Sequence, residues 1–438
     1  MIMVMIRPET EMKDSGVQWL GNVPKEWSVG KVKHEFYATK TIVGDKVNDY
    51  ERLALTLNGV IKRSKDAGDG LQPEKFDGYQ ILKEHELVFK LIDLANVSTS
   101  RVGLSPYTGI VSPAYIVLHH RKDMNPRYGE YYFLSMWMNE VFNHIGGDGV
   151  RSALNAKDLL NIPYLKVSSD EQQAIANYLD EKCSKIDEII AESKASIDEY
   201  KELKQSVIFE AVTKGLDKTV EVKDSGYDFI GCIPDKWEMC KVRHFGTAQN
   251  GISIGGDAFG SGYPFVSYGD VYKNYSLPKT VDKLVQSSEE DRKRYSVEKG
   301  DWFFTRTSET IDEVGFSCVC EETIPDAVFA GFLIRVRPFN NRIYTGFAKY
   351  YFRSKHLRAF FVKEMNLVTR ASLSQGLLKD TPVVVPPYDE QIEIANYLED
   401  RCATIDGIIK DKESLIKDLE AYKKSLIYEV VTGKRRVV

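Results

Sequence analysis

Three stretches of this 438-residue sequence invite a catalytic reading, and each fails on its neighbours. Pro386, Pro387 and Tyr388 match the end of the motif with which amino-methyltransferases hold a target amino group, but Val385 stands where an Asn or Asp must accept the hydrogen bond. Phe259, Gly260, Ser261 and Gly262 suggest a cofactor-binding glycine turn, yet Tyr263 and Pro264 follow where a helix has to begin. Pro325 and Asp326 lack the downstream Glu-x-Lys of a nuclease site, there is no phosphate-binding P-loop, and no Ser, Cys or His constellation stands out. The six cysteines show no metal-ligand spacing. The expectation is a chain that catalyses nothing and holds neither cofactor nor metal.

Residues suited to contact rather than chemistry are easier to find. Four segments read as strands feeding polar loops, where recognition residues tend to sit: Asn58 to Ser64, Ser98 to Arg101, Ser267 to Asp270 and Thr305 to Ser308. They supply Asn58, Lys62, Arg63, Ser98, Ser100 and Arg101, then Ser267, Tyr268, Asp270, Arg306, Thr307 and Ser308, types that reach phosphates and base edges. Net charge is −5, which does not announce a nucleic-acid binder. Its distribution is uneven. Arg101, His119, His120, Arg121 and Lys122 lie between Asp93 and Asp123, and eight Lys or Arg between Asp326 and Glu364, with no acid interleaved. Such runs serve equally as solvated faces, but their recurrence favours phosphate contact and adds Arg121 and Lys122 to the candidates. Arg151 and Arg370 sit in equivalent polar turns before short helices, placed for a phosphate, a guanine or an ion pair.

The elements that must position these residues come in two copies. EQQAIANYLDEKCSKIDEII from Glu171 matches EQIEIANYLEDRCATIDGII from Glu390 without a gap, at an offset of 219. KDSGVQWLGNVPKEW from Lys13 matches KDSGYDFIGCIPDKW from Lys223 at an offset of 210. Apolar residues at Leu179, Cys183, Ile186, Ile190, Ile197, Tyr200, Val207 and Ala211 recur every three or four positions, which predicts a long amphipathic helix whose narrow seam asks for a partner helix. The second copy supplies that partner. Ser168, Ser169 or Asp170 is expected to cap the first long helix and Asp389 the second. The aromatic-rich segments Tyr128 to Val141 and Thr345 to Val362 are expected to be helical, and Trp19, Trp27 and Trp237 to pack rather than stack on a ligand. The chain then divides into a globule over 12–168, a long helix over 169–215, a second globule over 220–388 and a second long helix over 389–433. The fold class is α/β (α+β): two mixed α/β domains related by an internal repeat and joined by two long antiparallel helices forming a coiled-coil spacer. No apolar run approaches a membrane span, and the opening MIMVMIRPE is too short and poorly flanked for a signal peptide, with Met12 as a second start site. A reduced, cytoplasmic protein is expected.

The two helix signatures, the two KDSG-to-W segments and the two-copy layout together resemble the DNA-specificity subunits of type I restriction-modification systems, across essentially the whole chain. The resemblance implies that each globule is a target recognition domain reading one half of a split, asymmetric site on double-stranded DNA, with half-sites roughly 34 Å apart. It implies docking of two methyltransferase (modification) subunits and of restriction/translocase subunits. S-adenosylmethionine, ATP and magnesium would belong to those partners. The competing reading is a coiled-coil scaffold with two protein-binding globules, which explains the acidic helices equally well but leaves the basic runs unexplained.

Overall fold

The computed structural model describes residues 5–57, 59–65, 75–92, 94, 101–145, 153–308, 314–364 and 371–437. The chain forms two compact units, one from residues 1–193 and 413–438, the other from residues 194–412. Each contains one globule and a segment of both long helices, which run from Ser169 to Lys214 and from Tyr388 to Val431.

In the first unit an antiparallel sheet orders the strands Val102–Leu104, Leu87–Phe89, Ile116–His120 and Phe36–Ala38. The helix Pro126–Met138 packs on it through Tyr128, Tyr132, Phe133 and Met136. A second, mixed sheet carries the hairpin Arg52–Thr56/Gly59–Arg63 and a parallel pairing of Arg52–Thr56 with Gly109–Val111. The second unit repeats the plan. Its antiparallel sheet orders Gly246–Asn250, Leu333–Pro338, Trp302–Thr305 and Ser317–Val319, and a smaller sheet contains a parallel pairing of Phe259–Val266 with Val328–Phe329. This is the mixed α/β architecture expected from the repeat. Two helix expectations need correcting: the helix expected over Tyr128 to Val141 stops at Met138, Glu140 turns at φ +58°, and a second helix, Val141–Ile145, begins after it. Thr345 to Val362 is not one helix but two, Thr345–Tyr351 and Lys355–Glu364, because Arg353 turns inward at the break. Its guanidinium donates to the backbone carbonyls of Val271, Tyr272, Asn274 and Ser317, four bonds that no straight helix would allow.

The long helices are amphipathic for the reason the spacing gives. Ile175, Leu179, Cys183, Ile186 and Ile190 enter the first core beside Leu426, Ile427, Val430 and Val431, while Ile208, Ala211 and Val212 enter the second beside Ile394, Leu398 and Cys402. The segments run antiparallel: in the second unit Lys204 meets Asp406 at 2.6 Å while Tyr200 lies under Lys412. The repeat-related pair in the first unit is Lys423 with Asp187, at 2.7 Å. Both helices stop at a left-handed glycine, Gly215 (φ +73°) and Gly433 (φ +70°), the usual way to end a helix without a Cβ clash. A lysine beside each glycine reaches the entry segment of its unit. Lys214 Nζ donates to the carbonyls of Ile230 and Cys232, and Lys434 Nζ to those of Leu20 and Asn22, although the order Lys-Gly in one copy is Gly-Lys in the other. Burial pulls the Lys434 amine down to about 8. Ser168 caps the first helix through its hydroxyl, accepting from Glu171 N at 3.3 Å. Asp389, by contrast, lies inside the first turn of the second helix.

The shared signature residues now have roles. Trp27 and Trp237 are 2% and 1% exposed, and each indole donates 2.9 Å to the glutamate opening a long helix, Glu171 or Glu390. Gln172 and Gln391 follow them and are buried. Each donates its amide to a carbonyl just before its helix, Val167 or Pro386, and accepts from a backbone N–H of the globule, Asn125 or Tyr344. Tyr131 and Tyr350 donate 2.8 Å to carboxylates about two turns further along, Asp180 and Glu399. These contacts explain why Glu-Gln recurs at the head of both helices. Burial also pushes the Cys183 and Cys402 thiols up to about 11, leaving them inert seam residues.

Candidate nucleic-acid interface

In the second unit the structure brings two of the segments singled out in the sequence together. Thr307–Ser308 pairs antiparallel with Ala371–Ser372, so the loop after the strand Trp302–Thr305 and the turn that follows Arg370 share one edge. Leu373 N donates to Arg306 O at 2.7 Å and Thr307 Oγ1 lies 3.4 Å from Ser372 Oγ. The first unit repeats the junction: Ile92 bridges Ala153, and Leu154 N donates to Leu91 O at 3.0 Å. Two residues that sequence reading missed join this edge in the second unit. Asn250 ends its strand and Gln375 opens a short helix, and the Gln375 amide donates 2.9 Å to Asn250 Oδ1. They are 125 positions apart, so no local pattern could have paired them. Arg306 is held by the turn before the strand Leu333–Pro338: its N–H donates to Phe332 O at 2.9 Å and its Nη1 to Gly331 O at 3.4 Å. The edge therefore presents Asn, Arg, Thr and Ser side chains on or beside strand ends and Gln at a helix start, types that read base edges and phosphates.

The other candidates are dispersed. Asn58, Ser98, Ser100, Arg151 and Arg370 lie outside the described residues, and of Ser308 only the backbone is described. Lys62 is exposed on the hairpin, 2.6 Å from Glu51 and over the Tyr107 ring. With Arg63, Arg52 and Lys65 it lines a cleft of about 450 Å³, in which Arg52 Nη1 has no hydrogen-bond partner among the described residues. Arg121 and Lys122 are exposed but follow a strand of the other sheet, where the Arg121 guanidinium lies over Tyr37. Ser267 and Asp270 close on each other, with Ser267 N and Oγ donating to Asp270 Oδ2 at 2.8 and 2.7 Å. They cap the helix Tyr268–Lys273. Tyr268 stands beside them on the wall of an open cleft. Arg101 is 1% exposed and donates to Ile92 O, which gives its guanidinium a packing role.

The acid-free basic runs are the larger correction. Arg335, 5% exposed, donates to Ser296 O and Gln249 Oε1, both at 2.6 Å. Arg337 grips Asp301 at 2.7 Å and Glu298 at 2.8 Å, Arg342 pairs with Glu238, Lys349 with Glu399 and Lys355 with Glu202. In the first unit His119 Nδ1 lies 2.5 Å from Glu86 Oε1, which raises the imidazole above its ordinary range and lowers the carboxyl despite its burial. Each acid comes from a segment distant in sequence: Glu86, Glu298 and Asp301 from turns that lead into strands, Glu238 from a strand, and Glu202 and Glu399 from the long helices. The paired members of the runs are basic only in one dimension, while Arg121 and Lys122 stay exposed.

Comparison with known proteins falls on this same architecture. Residues 234–417 match the model of the type I restriction modification DNA specificity domain. That segment carries the type I restriction modification DNA specificity domain, and the chain is similar beyond it to type I restriction-modification specificity subunits. It is 22% identical over 317 residues to the EcoKI specificity subunit of Escherichia coli, covering 68% of this chain and 63% of that one. With the EcoBI specificity subunit of Escherichia coli it shares 23% over 274 residues, 60% of this chain and 56% of that one. The matches thus span less than two thirds of the length of these relatives. In fold, the protein resembles a chain from a structure of type I restriction-modification complex assembly and conformational transition (TM-score 0.72, 13% identity, 94% and 99% covered). It also resembles the HsdS subunit from Thermoanaerobacter tengcongensis (TM-score 0.51, 13% identity, 94% and 98% covered). Among the described residues no helix is long and apolar enough to cross a membrane.

Proposed function

We propose that this chain is the sequence-specific DNA-binding subunit of a type I restriction-modification complex. Its globules, over 12–168 and 220–388, act as target recognition domains, each reading one half of a bipartite, asymmetric site. The long helices over 169–215 and 389–433 serve as the spacer and dock two methyltransferase subunits, with restriction/translocase subunits joining for cleavage. Chemistry and its cofactors, S-adenosylmethionine, ATP and magnesium, sit in those partners. The observation that carries this reading is that one hydrogen-bonding skeleton, repeated from Trp27 and Glu171 to Trp237 and Glu390, underlies both globules and in the second supports a polar edge of Thr307, Ser372, Gln375 and Asn250. A duplicated frame with divergent loops is what two independent half-site readers need. The spacer adds a second support. Asn177 and Tyr178 recur as Asn396 and Tyr397 on its outer surface, and Lys182 as Arg401, which suits one kind of partner bound twice.

The test is to co-express the chain with its methyltransferase subunits and map methylated bases in host DNA by long-read sequencing. A split motif that depends on this chain is expected. Exchanging residues 38–150 for those of a relative should change one half of the motif and leave the other. Two changed halves would show that the globules do not read independently. A stable complex with no new methylation would favour a scaffold.

A further inference from the structure

The second unit carries an apolar feature that polar recognition does not use. Phe332 is 62% exposed at the turn entering the strand Leu333–Pro338, with Phe259 44% and Leu284 36% exposed nearby. All three line an open slot of about 650 Å³, walled also by Tyr268 and Phe265 and rimmed by Ser267, Asp282 and Lys283. The Phe332 turn is firmly held. Besides the two bonds from Arg306, a side chain at Gly331 would come within 2.9 Å of Ser253 Oγ and 3.1 Å of Ile252 O, so the turn lies tight against the neighbouring segment. A large aromatic ring is thus offered to solvent from rigid backbone, at a position whose carbonyl is bonded to Arg306 and next to the Thr307, Ser372, Gln375 and Asn250 edge.

We propose, resting on the DNA-recognition reading above, that Phe332 is a wedge that enters one base step of the half-site read by the second unit and unstacks it. The slot shared with Phe259 and Leu284 receives the apolar edge of the displaced base. The occupant is duplex DNA because the slot's rim sets Lys283 beside a single acid, Asp282, and the adjoining edge adds the cation Arg306 with amide and hydroxyl side chains, the setting in which an inserted apolar side chain bends DNA against held phosphates. A protein partner would meet a mixed polar rim with little apolar area beyond the slot. The wedge makes the half-site sensitive to base-step flexibility, favouring pyrimidine–purine steps at the point of entry.

The test uses the complex with its methyltransferase subunits and duplexes carrying 2-aminopurine at successive positions of the mapped half-site. The wild-type complex is expected to brighten the probe at one step. Phe332→Ala should abolish that signal and weaken specific binding roughly ten- to hundredfold, the worth of one aromatic–base stack, with non-specific binding and its salt dependence unchanged. Phe332→Trp should keep both signal and affinity. Specific binding by Phe332→Ala equal to wild type, or no bright position in either half-site, overturns the wedge while leaving half-site reading intact. Loss of a methyltransferase subunit from the Phe332→Ala complex overturns it in favour of a protein contact. A wild-type complex without sequence-specific binding overturns both the wedge and the reading it rests on.

Discussion

The two units solve the same structural problem with different residues. On the central sheet, Glu86 in the first unit accepts from Lys83 N at 2.8 Å and meets His119; in the second, Asp301 accepts from Glu298 N at 2.8 Å and meets Arg337. Strand register makes these equivalent, since His119 lies opposite Tyr37 and Arg337 opposite Thr247. A carboxylate paired across the sheet is thus kept while its cation changes from titratable to permanent. A second exchange concerns the outer strand. Leu104 N donates to Glu130 Oε1 at 2.9 Å, which closes the sheet edge with a side chain. The equivalent Val319 N donates to Tyr275 O at 3.0 Å, so backbone closes that edge in the second unit. The helix position of Glu130 is thereby released, and Lys349 occupies it and pairs with Glu399, while Arg127 holds the corresponding Asp180 from one turn earlier. What is preserved at these equivalent positions is that the acceptor and the donor are met, not which residue meets them.

Three substitution experiments would break or sharpen this equivalence, read unit by unit through hydrogen exchange. The largest effect is expected from Trp27→Ala and Trp237→Ala. Each should destabilise its own unit by about 3–5 kcal/mol, the cost of emptying a buried aromatic site. Protection lost equally in both units by either change would mean that they unfold as one. Next, Glu130→Ala should cost about 1–3 kcal/mol because it leaves the half-buried Leu104 N–H without its acceptor. Lys349→Ala leaves Val319 N bonded to Tyr275 and should cost about 1 kcal/mol or less. Equal losses would refute the account of the two sheet edges.

The smallest effect is pH dependence. The imidazole of His119 is raised above 6.5 by Glu86, so its contribution is complete below pH 6.5 and lost as pH rises through its folded value. Glu86 is held below 4.5, so its contribution is complete above pH 4.5 and lost on acidification through its folded value. Thr39, whose hydroxyl is 2.7 Å from His119 Nε2, Lys83 and the Tyr37 ring complete the surroundings. Protection of the first unit's sheet should therefore peak between pH 4.5 and 6.5 and decline toward alkaline pH, while the Arg337–Asp301 sheet stays flat there. His119→Arg should flatten the first. A decline in both units would place the titration elsewhere.

Much of this protein was written along the chain. The two-copy layout, the long helices and their apolar seams followed from sequence because a duplication and a 3.6-residue period are patterns of neighbouring residues, legible without knowing what lies across the core. The tryptophans were recognised as packing residues for the same reason: each heads its repeat at a fixed offset. Tertiary structure alone decided the fate of the charges. Arg335, Arg337 and Arg353 sit in a run without acids, yet their acceptors come from residues 249, 271 to 274, 296 to 301 and 317, carried in by other strands and turns. It likewise paired Asn250 with Gln375 and turned Phe332 outward. Ion pairs, edge contacts and exposure depend on which distant segments the sheets bring together, and sheet pairing is a long-range choice that no local spacing records.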